Sequence, residues 1–424
     1  MLNQKVFPAL VFMLLLFFFP AMVYEKYFAK GYIHLILLVG FGFIIYSNYK
    51  KVIFNEDEEK LILFGVMIFV LALLGFFQQT PGLTRFDSVV DNYLKALLPL
   101  SLIPLFYFSK LNGYKLIITS LVLASLVAFG LSIYGEYQNM PRGGGSFHGS
   151  AIIFGDLAML FALLSGLFGF YFYKTKQYLF ATLLLMSFVF SLYSSFSSGT
   201  KGGVIALLSL PFVVAPVIQD KKARIIFIGV ILSLLAIAIA LLFSTENLLK
   251  VRMIIAWTEL LQIFNGDFSG PSLGFRVQIW LVAWQAFLSS PAFGIGIGEF
   301  YAFKLSLINA GLASADIETY KHAHSEYFTI LSSMGLAGVV LYIWFFKWLL
   351  SYFYRHAIST SYEIKFLGIA GLITIMCYLD FSLSESFLSS HLGGAVFFSI
   401  VSLLIYSLNT LKVKVNMAAN LGVK

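Results

Sequence analysis

Two histidines, His322 and His324, lie close together just before a long apolar run that begins near residue 325. Imidazole is the usual side chain for general-base chemistry on a hydroxyl group. His-x-His pairs also occur in zinc sites, and His148 is available as a third ligand, but the chain has no His-Glu-x-x-His sequence and no cysteine cluster. A histidine that only caps a helix is the remaining alternative. The pattern leaves general-base catalysis and helix capping as equal alternatives and disfavours a metal site.

Three basic residues, Arg142, Lys201 and Arg276, stand beside glycines in polar segments. The segment 198–203, Ser-Gly-Thr-Lys-Gly-Gly, opens an apolar run, and the free N–H groups at a helix N-terminus bind anions that glycines allow to approach closely. Lysine offers phosphate a point charge, whereas arginine can grip it with two donors. The spacing is not that of a Walker motif. The alternatives are a glycine-rich turn with a snorkelling lysine and an arginine that binds lipid headgroups.

Acidic residues could orient these basic groups. Asp156 lies inside an apolar run, where a charge is costly and is a functional hypothesis by default. It could pair with Lys201, line a cavity or form a purely structural ion pair. Four further acidic residues are expected near the same face, where they could orient basic groups or bind hydroxyls: Asp87, Asp91, Asp380 and Glu385.

The chain that positions these residues is too apolar for a soluble protein. Of its 424 residues, 60% are hydrophobic and 11% are charged, against about 25% charged residues in soluble domains. Lipid must therefore cover the surface. The formal charge of +8 falls in short loops beside apolar runs, where it sets membrane orientation, so no nucleic-acid partner is predicted. The single cysteine, Cys377, excludes an intrachain disulfide.

Apolar runs of roughly 20 residues, the length that spans a bilayer, recur along the whole chain. Their pattern is continuous rather than alternating, which predicts an all-α fold. The first run has no cleavage signal and is predicted to be an uncleaved signal anchor. About twelve spans are predicted, near residues 6–23, 31–47, 61–77, 93–108, 115–134, 151–172, 178–194, 203–218, 225–243, 325–346, 365–383 and 392–409.

Lysine and arginine are concentrated in the loops on one side of these spans. Because cytoplasmic loops carry the excess of basic residues, both termini are predicted to be cytoplasmic. Helical spans rather than a barrel predict a bacterial inner membrane. The fold class is then an all-α polytopic membrane protein with one large loop on the outer side. Its predicted divisions are nine spans in residues 1–243, the loop at 244–324, and three spans in residues 325–424.

The outer loop is predicted to be folded. Loops longer than roughly 15 residues are usually functional or disordered, and this one shows an amphipathic helical stripe after Arg276. Two tryptophans on that stripe suit the membrane interface. The stripe consists of Val277, Trp280, Leu281, Trp284, Phe287 and Leu288.

Three short segments, taken together, resemble the motifs of a known family. His324-Ser325, nine residues and then Gly335-Leu336-Ala337-Gly338 resembles the His-[Asn/Ser/Gln]-x9-Gly-x-x-[Gly/Thr/Tyr] pattern of bacterial O-antigen ligases. The segment 198–202 is similar to the Ser-Gly-Ser/Thr-Arg-Gly element of the wider O-antigen ligase and polymerase superfamily, and 274–276, Gly-Phe-Arg, to its Gly-x-Arg element. The spans and the loop agree too, so the resemblance covers nearly the whole chain. Lys201 stands where arginine is usual, which keeps the charge but loses the two-donor grip, and Ser325 replaces the commoner asparagine.

The resemblance implies a GT-C-like glycosyltransferase that needs no metal, ATP or other cofactor. Its donor would be O-antigen polysaccharide on undecaprenyl diphosphate, its acceptor a sugar hydroxyl of lipid A–core, and its product lipopolysaccharide, formed with inversion on the periplasmic face. His324 would deprotonate the acceptor. The diphosphate would be held by Arg276 and Lys201, with Arg142. The supporting residues would be His322 and Asp156.

Other functions share parts of this pattern. An O-antigen polymerase, which extends a polyprenyl-linked chain, and a protein O-oligosaccharyltransferase use the same donor chemistry, and the histidine pattern favours the ligase. A polysaccharide flippase or exporter belongs to a different class and would form no glycosidic bond. The predicted clustering of charges at one face, rather than at the midplane of a repeat interface, disfavours a transporter.

Overall fold

The computed structural model is helical throughout the residues that it describes, which are 6–46, 54–77, 93–110, 112–244 and 248–420; no strand occurs in these ranges. The helices are α1 (Val6–Leu16), α2 (Phe18–Tyr24), α3 (Lys26–Tyr46), α4 (Glu56–Phe77), α5 (Leu98–Ser109), α6 (Gly113–Tyr137), α7 (Gly145–His148), α8 (Ala151–Lys174), α9 (Tyr178–Ser197), α10 (Lys201–Val214), α11 (Lys221–Ser244), α12 (Leu248–Phe264), α13 (Leu273–Ser289), α14 (Phe300–Asn309), α15 (Glu326–Ala357), α16 (Tyr362–Ser384) and α17 (His391–Asn420). The predicted fold class, an all-α polytopic membrane protein, is confirmed.

Each predicted span falls, to within a residue or so, inside one helix or two consecutive helices. Most helices extend beyond the predicted bounds, and α15 and α17 end at Ala357 and Asn420 rather than near residues 346 and 409. Seven described helices are long and apolar enough to cross a membrane: Lys26–Ile45, Lys115–Tyr137, Ala151–Lys174, Tyr178–Ser197, Glu326–Ala357, Tyr362–Ser384 and His391–Val413. The other predicted spans are shorter helices or begin with charged turns, such as the Glu56–Glu59 turn of α4.

The centre of the bundle is formed by α8, α16 and α17. The buried fraction of the membrane span is 72% in α8, 83% in α16 and 100% in α17, against 28% in the peripheral α3. Large apolar side chains such as Val189, Phe212 and Ile343 are instead exposed on the outside of the bundle. A surface of exposed apolar side chains, the opposite of a soluble protein's surface, suits a lipid environment, because exposed apolar surface is costly only in water.

Helix α15 is interrupted at Gly335, which has φ 59° and ψ −153°. The interruption frees backbone groups that pair with the segment 291–296 of the outer loop: Ile295 N–H donates to the Ser332 carbonyl at 2.9 Å, and Leu336 N–H donates to the Pro291 carbonyl at 2.9 Å. The glycine of the family pattern therefore fastens the outer loop to the membrane bundle.

We expect Gly335→Ala to lower the free energy of unfolding by at least about 2 kcal/mol, because this backbone region is essentially restricted to glycine. A Cβ at this position would also lie 2.5 Å from the Gly294 nitrogen. Thermal unfolding in detergent measures the loss. Gly130→Ala in α6 is the matched control, since its Cβ meets no atom within 4 Å. Equal stability of the two variants would contradict this role of Gly335.

The outer loop is folded, as predicted. A small core joins α13, α14 and the chain that follows them: Ile279, Val282, Ala283, Phe300, Ile317 and Ala323. The buried Lys304 Nζ donates to the carbonyls of Ile317 at 2.6 Å and Glu318 at 2.8 Å, which closes the loop on itself. On the opposite face of α13, the predicted stripe leaves Leu281, Trp284 and Leu288 exposed, as a helix at the membrane interface requires.

Candidate active site

A cavity of about 530 Å³ opens where the outer loop meets the bundle. Its walls come from the end of the loop at 321–324, the α7–α8 turn at 149–153, the first turns of α15, and the segment 385–392 between α16 and α17. The elements predicted to carry chemistry thus converge, although they are distant in sequence. His322, His324 and Arg142 line the cavity.

A buried carboxylate joins the two predicted histidines. Glu385, whose side chain is only 7% exposed, accepts hydrogen bonds from His322 Nε2 at 2.7 Å and from His324 Nδ1 at 3.1 Å. The Ser386 N–H donates to the same carboxylate at 3.0 Å. Glu385 was one of four acidic residues expected to orient basic groups, and the structure shows that it does so.

Burial favours a raised pKa at Glu385, but the hydrogen bonds from His322 and His324 outweigh it and hold the pKa well below its usual value. The carboxylate is therefore ionised at neutral pH. Because the pKa is lower in the folded state, its stabilising contribution is complete above about pH 4.3 and is lost as the pH falls from there towards the folded-state pKa.

His324 has the geometry of a general base. Glu385 engages Nδ1, which leaves Nε2 as the ring nitrogen that can accept a proton, and the side chain lines the cavity. The backbone of His324 has φ 48°, an uncommon conformation for a residue with a Cβ. Such local strain concentrates at active sites. The Tyr320 ring packs edge-on against the imidazole, with centroids 5.3 Å apart, and fixes its plane.

The segment that carries Glu385 is held by two buried charges that the sequence analysis did not single out. Lys95 Nζ donates to the carbonyls of Ser389 at 2.6 Å and Ser390 at 2.5 Å. Glu326 accepts from the Ser389 N–H at 2.9 Å and from its hydroxyl at 2.5 Å. In the sequence, Lys95 and Glu326 are visible only as charged residues beside apolar runs. Their partners are mainly backbone groups, and a pattern of side chains does not reveal such contacts.

Arg142 reaches the cavity because the glycine-rich 198–203 segment holds it there. Its Nε donates to the Ser198 carbonyl at 2.9 Å, and its Nη2 lies 3.5 Å from Thr200 Oγ1. The predicted anion site at the start of α10 is faced instead by Asp156, since a Cβ on Gly202 would lie 2.6 Å from Asp156 Oδ1. The segment therefore contacts a guanidinium and a carboxylate of the chain itself.

The remaining predicted residues, Asp156, Arg276 and Lys201, do not line the cavity. Asp156 is fully buried in α8 and lies within electrostatic range of Arg142, Arg276 and Glu385. Arg276 is in the first turn of α13, whose N-terminus is capped by Glu259, which accepts from the Ser272 N–H at 3.0 Å.

Two lysines that the sequence analysis gave no chemical role, Lys26 and Lys321, also line the cavity. Together with Arg142 they outnumber Glu385, the one acidic residue among the described lining residues. The cavity is therefore cationic, and fixed cations around a cavity stabilise a multiply charged anion such as a diphosphate.

The role of His148 as a third metal ligand beside His322 and His324 is wrong. Its Nε2 lies 2.9 Å from the Met22 carbonyl and its Nδ1 lies 3.0 Å from the Ser150 carbonyl, so both ring nitrogens are engaged in the protein interior. Within the described ranges, the group with metal-ligand spacing is His322, His324 and Glu385, whose ligand atoms lie within 4.8 Å of one another.

Three other acidic residues were expected near this face. Asp380 lies in α16 and accepts a hydrogen bond from the Ser209 hydroxyl; it is not among the cavity-lining residues. Asp87 and Asp91 lie outside the described residues. Glu385 is thus the member of the predicted acidic set that the structure connects to the histidines.

Comparison with known proteins agrees with the motifs. Residues 186–343 match the family model described as O-antigen ligase, and this stretch contains the 198–203 segment, Arg276, both cavity histidines and the Gly335 interruption. A protein of Haemophilus influenzae, described only as uncharacterized, is 24% identical over 382 residues, which cover 87% of this chain and 92% of that relative.

Proposed function

Starting from membership of the O-antigen ligase and polymerase superfamily, which the family match supports, we propose that this protein transfers a glycan from a polyprenyl diphosphate to a hydroxyl acceptor. The donor is O-antigen polysaccharide on undecaprenyl diphosphate, and the acceptor is a sugar hydroxyl of lipid A–core. The observation that carries the proposal is the hydrogen-bonded His324–Glu385 pair on the wall of a cationic cavity.

His324 is the general base. Its Nε2 removes the proton from the acceptor hydroxyl while the hydroxyl oxygen attacks the anomeric carbon of the donor sugar. The bond between that carbon and the diphosphate oxygen breaks, the diphosphate leaves with the electron pair, and the anomeric configuration inverts. Glu385 holds the imidazole through Nδ1 and stabilises the positive charge that the ring acquires.

The cations of the cavity stabilise the leaving group. Arg142 can offer the diphosphate guanidinium donors from a fixed position, and Lys26 and Lys321 add point charges. Arg276 and Lys201, which do not line the cavity, would add positive potential from outside it. Because a stabilised diphosphate leaves readily, the proposed reaction needs neither ATP nor a metal ion.

An apolar groove supports a lipid-linked substrate. The groove has a volume of about 640 Å³ and runs along α15 from Tyr327, three residues beyond His324, to Leu350. At 1.5 Å per residue this stretch covers ~35 Å, which is close to the ~30 Å of a bilayer hydrocarbon core. A polyprenyl chain in this groove would keep its diphosphate at the level of the cavity. In the proposed orientation the cavity faces the periplasm and both termini are cytoplasmic.

The function is tested with purified protein, undecaprenyl-diphosphate-linked O-antigen, lipid A–core and EDTA, with the product read as a ladder on a gel. A ladder on lipid A–core supports the ligase. Chain extension with the donor alone identifies a polymerase, and transfer to a protein acceptor alone identifies an oligosaccharyltransferase. Lipid translocation in vesicles without any new glycosidic bond identifies a flippase and overturns the proposal.

Arg142→Gln is expected to raise the KM for the donor about 10- to 100-fold, because a charge-assisted hydrogen bond contributes about 1.5–3 kcal/mol. Arg142→Lys keeps the charge, and its KM for the donor is expected to lie between those of Arg142→Gln and the wild type. Lys174→Gln, at the exposed end of α8, removes a positive charge far along the chain from the site and serves as the control. An unchanged donor KM in Arg142→Gln would remove Arg142 from the site.

A further inference from the structure

The side chains of His322, His324 and Glu385 form a compact set of metal-binding groups. Each imidazole directs one nitrogen at a different oxygen of the same carboxylate, at 2.7 Å and 3.1 Å, and the three ligand atoms lie within 4.8 Å of one another. Around a tetrahedral Zn²⁺ with bonds of about 2.0–2.2 Å, ligand atoms lie roughly 3.3 Å apart. Small shifts of the side chains thus bring all three onto one ion.

We propose that this trio binds a divalent transition metal such as Zn²⁺, and that the bound ion inhibits the protein rather than serving its reaction. Two imidazoles and one carboxylate are a common ligand set for zinc with an open fourth position. The cavity side of the trio supplies that position, since His322 is 45% exposed and both histidines line the cavity. A water molecule completes the tetrahedron.

The surroundings of the trio favour an ordered site. The Ser386 N–H holds the Glu385 carboxylate at 3.0 Å, and Lys95 and Glu326 fix the segment that follows it. Groups that orient the ligands in this way commonly contribute 10- to 100-fold to metal affinity. The two imidazole rings already lie together, with centroids 4.1 Å apart.

Inhibition follows from which nitrogen of His324 takes the metal, and this part rests on the proposed function. In the metal-free site, the Glu385 carboxylate accepts the hydrogen bond of His324 Nδ1 and holds the imidazole ring. An ion bound to Nδ1 and to the carboxylate replaces this hydrogen bond and moves the ring, so the His324–Glu385 pair that the proposed reaction uses is no longer formed. The ion also consumes the carboxylate that would stabilise the imidazolium. Binding itself does not depend on the reaction.

Metal binding is tested directly on the full chain in detergent, with Co²⁺ as the probe. We expect one Co²⁺ per chain, with visible absorption bands typical of tetrahedral coordination, and displacement by one equivalent of Zn²⁺. His322→Ala and Glu385→Gln should each weaken binding at least about tenfold. His356→Asn, at the far end of α15, is the control and should bind as the wild type does.

His391, which lines the cavity, forms a competing pair with His34, whose ring lies 5.8 Å away. Binding that persists in both trio variants but disappears in His391→Ala would overturn the proposal, as would the absence of stoichiometric Co²⁺ in a folded wild type. If transfer is observed, Zn²⁺ should abolish it and EDTA should restore it. Transfer that requires Zn²⁺ would overturn the inhibitory role, whereas binding without any transfer would count against the proposed function alone.

Discussion

His324→Ala is expected to lower kcat for glycan transfer about 10²- to 10⁴-fold, the range that a positioned general base contributes. The affinity for the donor should change little, because the cations proposed to bind the diphosphate lie elsewhere on the cavity wall. The measurement is the rate of ladder formation at saturating donor, with thermal unfolding to show that the variant is folded.

His356→Asn is the matched control, since this histidine bonds the Tyr352 carbonyl at the other end of α15 and should leave kcat unchanged. His322→Ala should have a smaller effect than His324→Ala, because it removes one of two histidines that hold Glu385. A folded His324→Ala variant with kcat within a few-fold of the wild type would rule out His324 as the base.

Glu385→Gln is expected to lower kcat by ~10²-fold or more while keeping the shape of the site. Glutamine can still contact one imidazole, but it supplies no negative charge to stabilise the imidazolium or to fix the tautomer. The double variant with His324→Ala should be no slower than His324→Ala alone, because the two residues act as one unit. Additive losses would show that Glu385 acts independently of His324.

The same substitution has a consequence for stability. Because the pKa of Glu385 is held below its usual value in the folded state, the wild type should be more stable than Glu385→Gln at neutral pH. This difference should shrink as the pH falls below about 4.3. Thermal unfolding of both proteins between neutral and acid pH checks the sign. A difference that grows on acidification would contradict the ionised state of the buried carboxylate.

The membrane fold was largely predictable because each helix is determined by the hydrophobicity of its own stretch of sequence. Continuous apolar runs must form helices in a bilayer, since no water is present to satisfy the backbone. The stripe on α13 was predicted for a similar reason: helical periodicity places Trp284 and Leu288 on one face wherever the helix lies. The histidine pair was also readable, because polar residues beside apolar runs are rare enough to attract notice.

The assembly of the site was not predictable in the same way. Glu385 was one of four equivalent acidic candidates, and only the packing of α15 against α16 places it between His322 and His324. His148 was the third ligand available to the zinc alternative, but its ring is bonded to backbone carbonyls. Lys26, to which the sequence assigned no chemical role, lines the cavity with Arg142.

The sequence by itself therefore determined the helices, the folded outer loop and the residue types available for chemistry, since these follow from hydrophobicity and spacing along the chain. The tertiary structure alone decided which of those residues meet. Contacts across more than 60 residues, such as His322 with Glu385, depend on how helices pack. Packing reflects complementary shape and buried hydrogen bonds to backbone groups, and a linear pattern of side chains records neither.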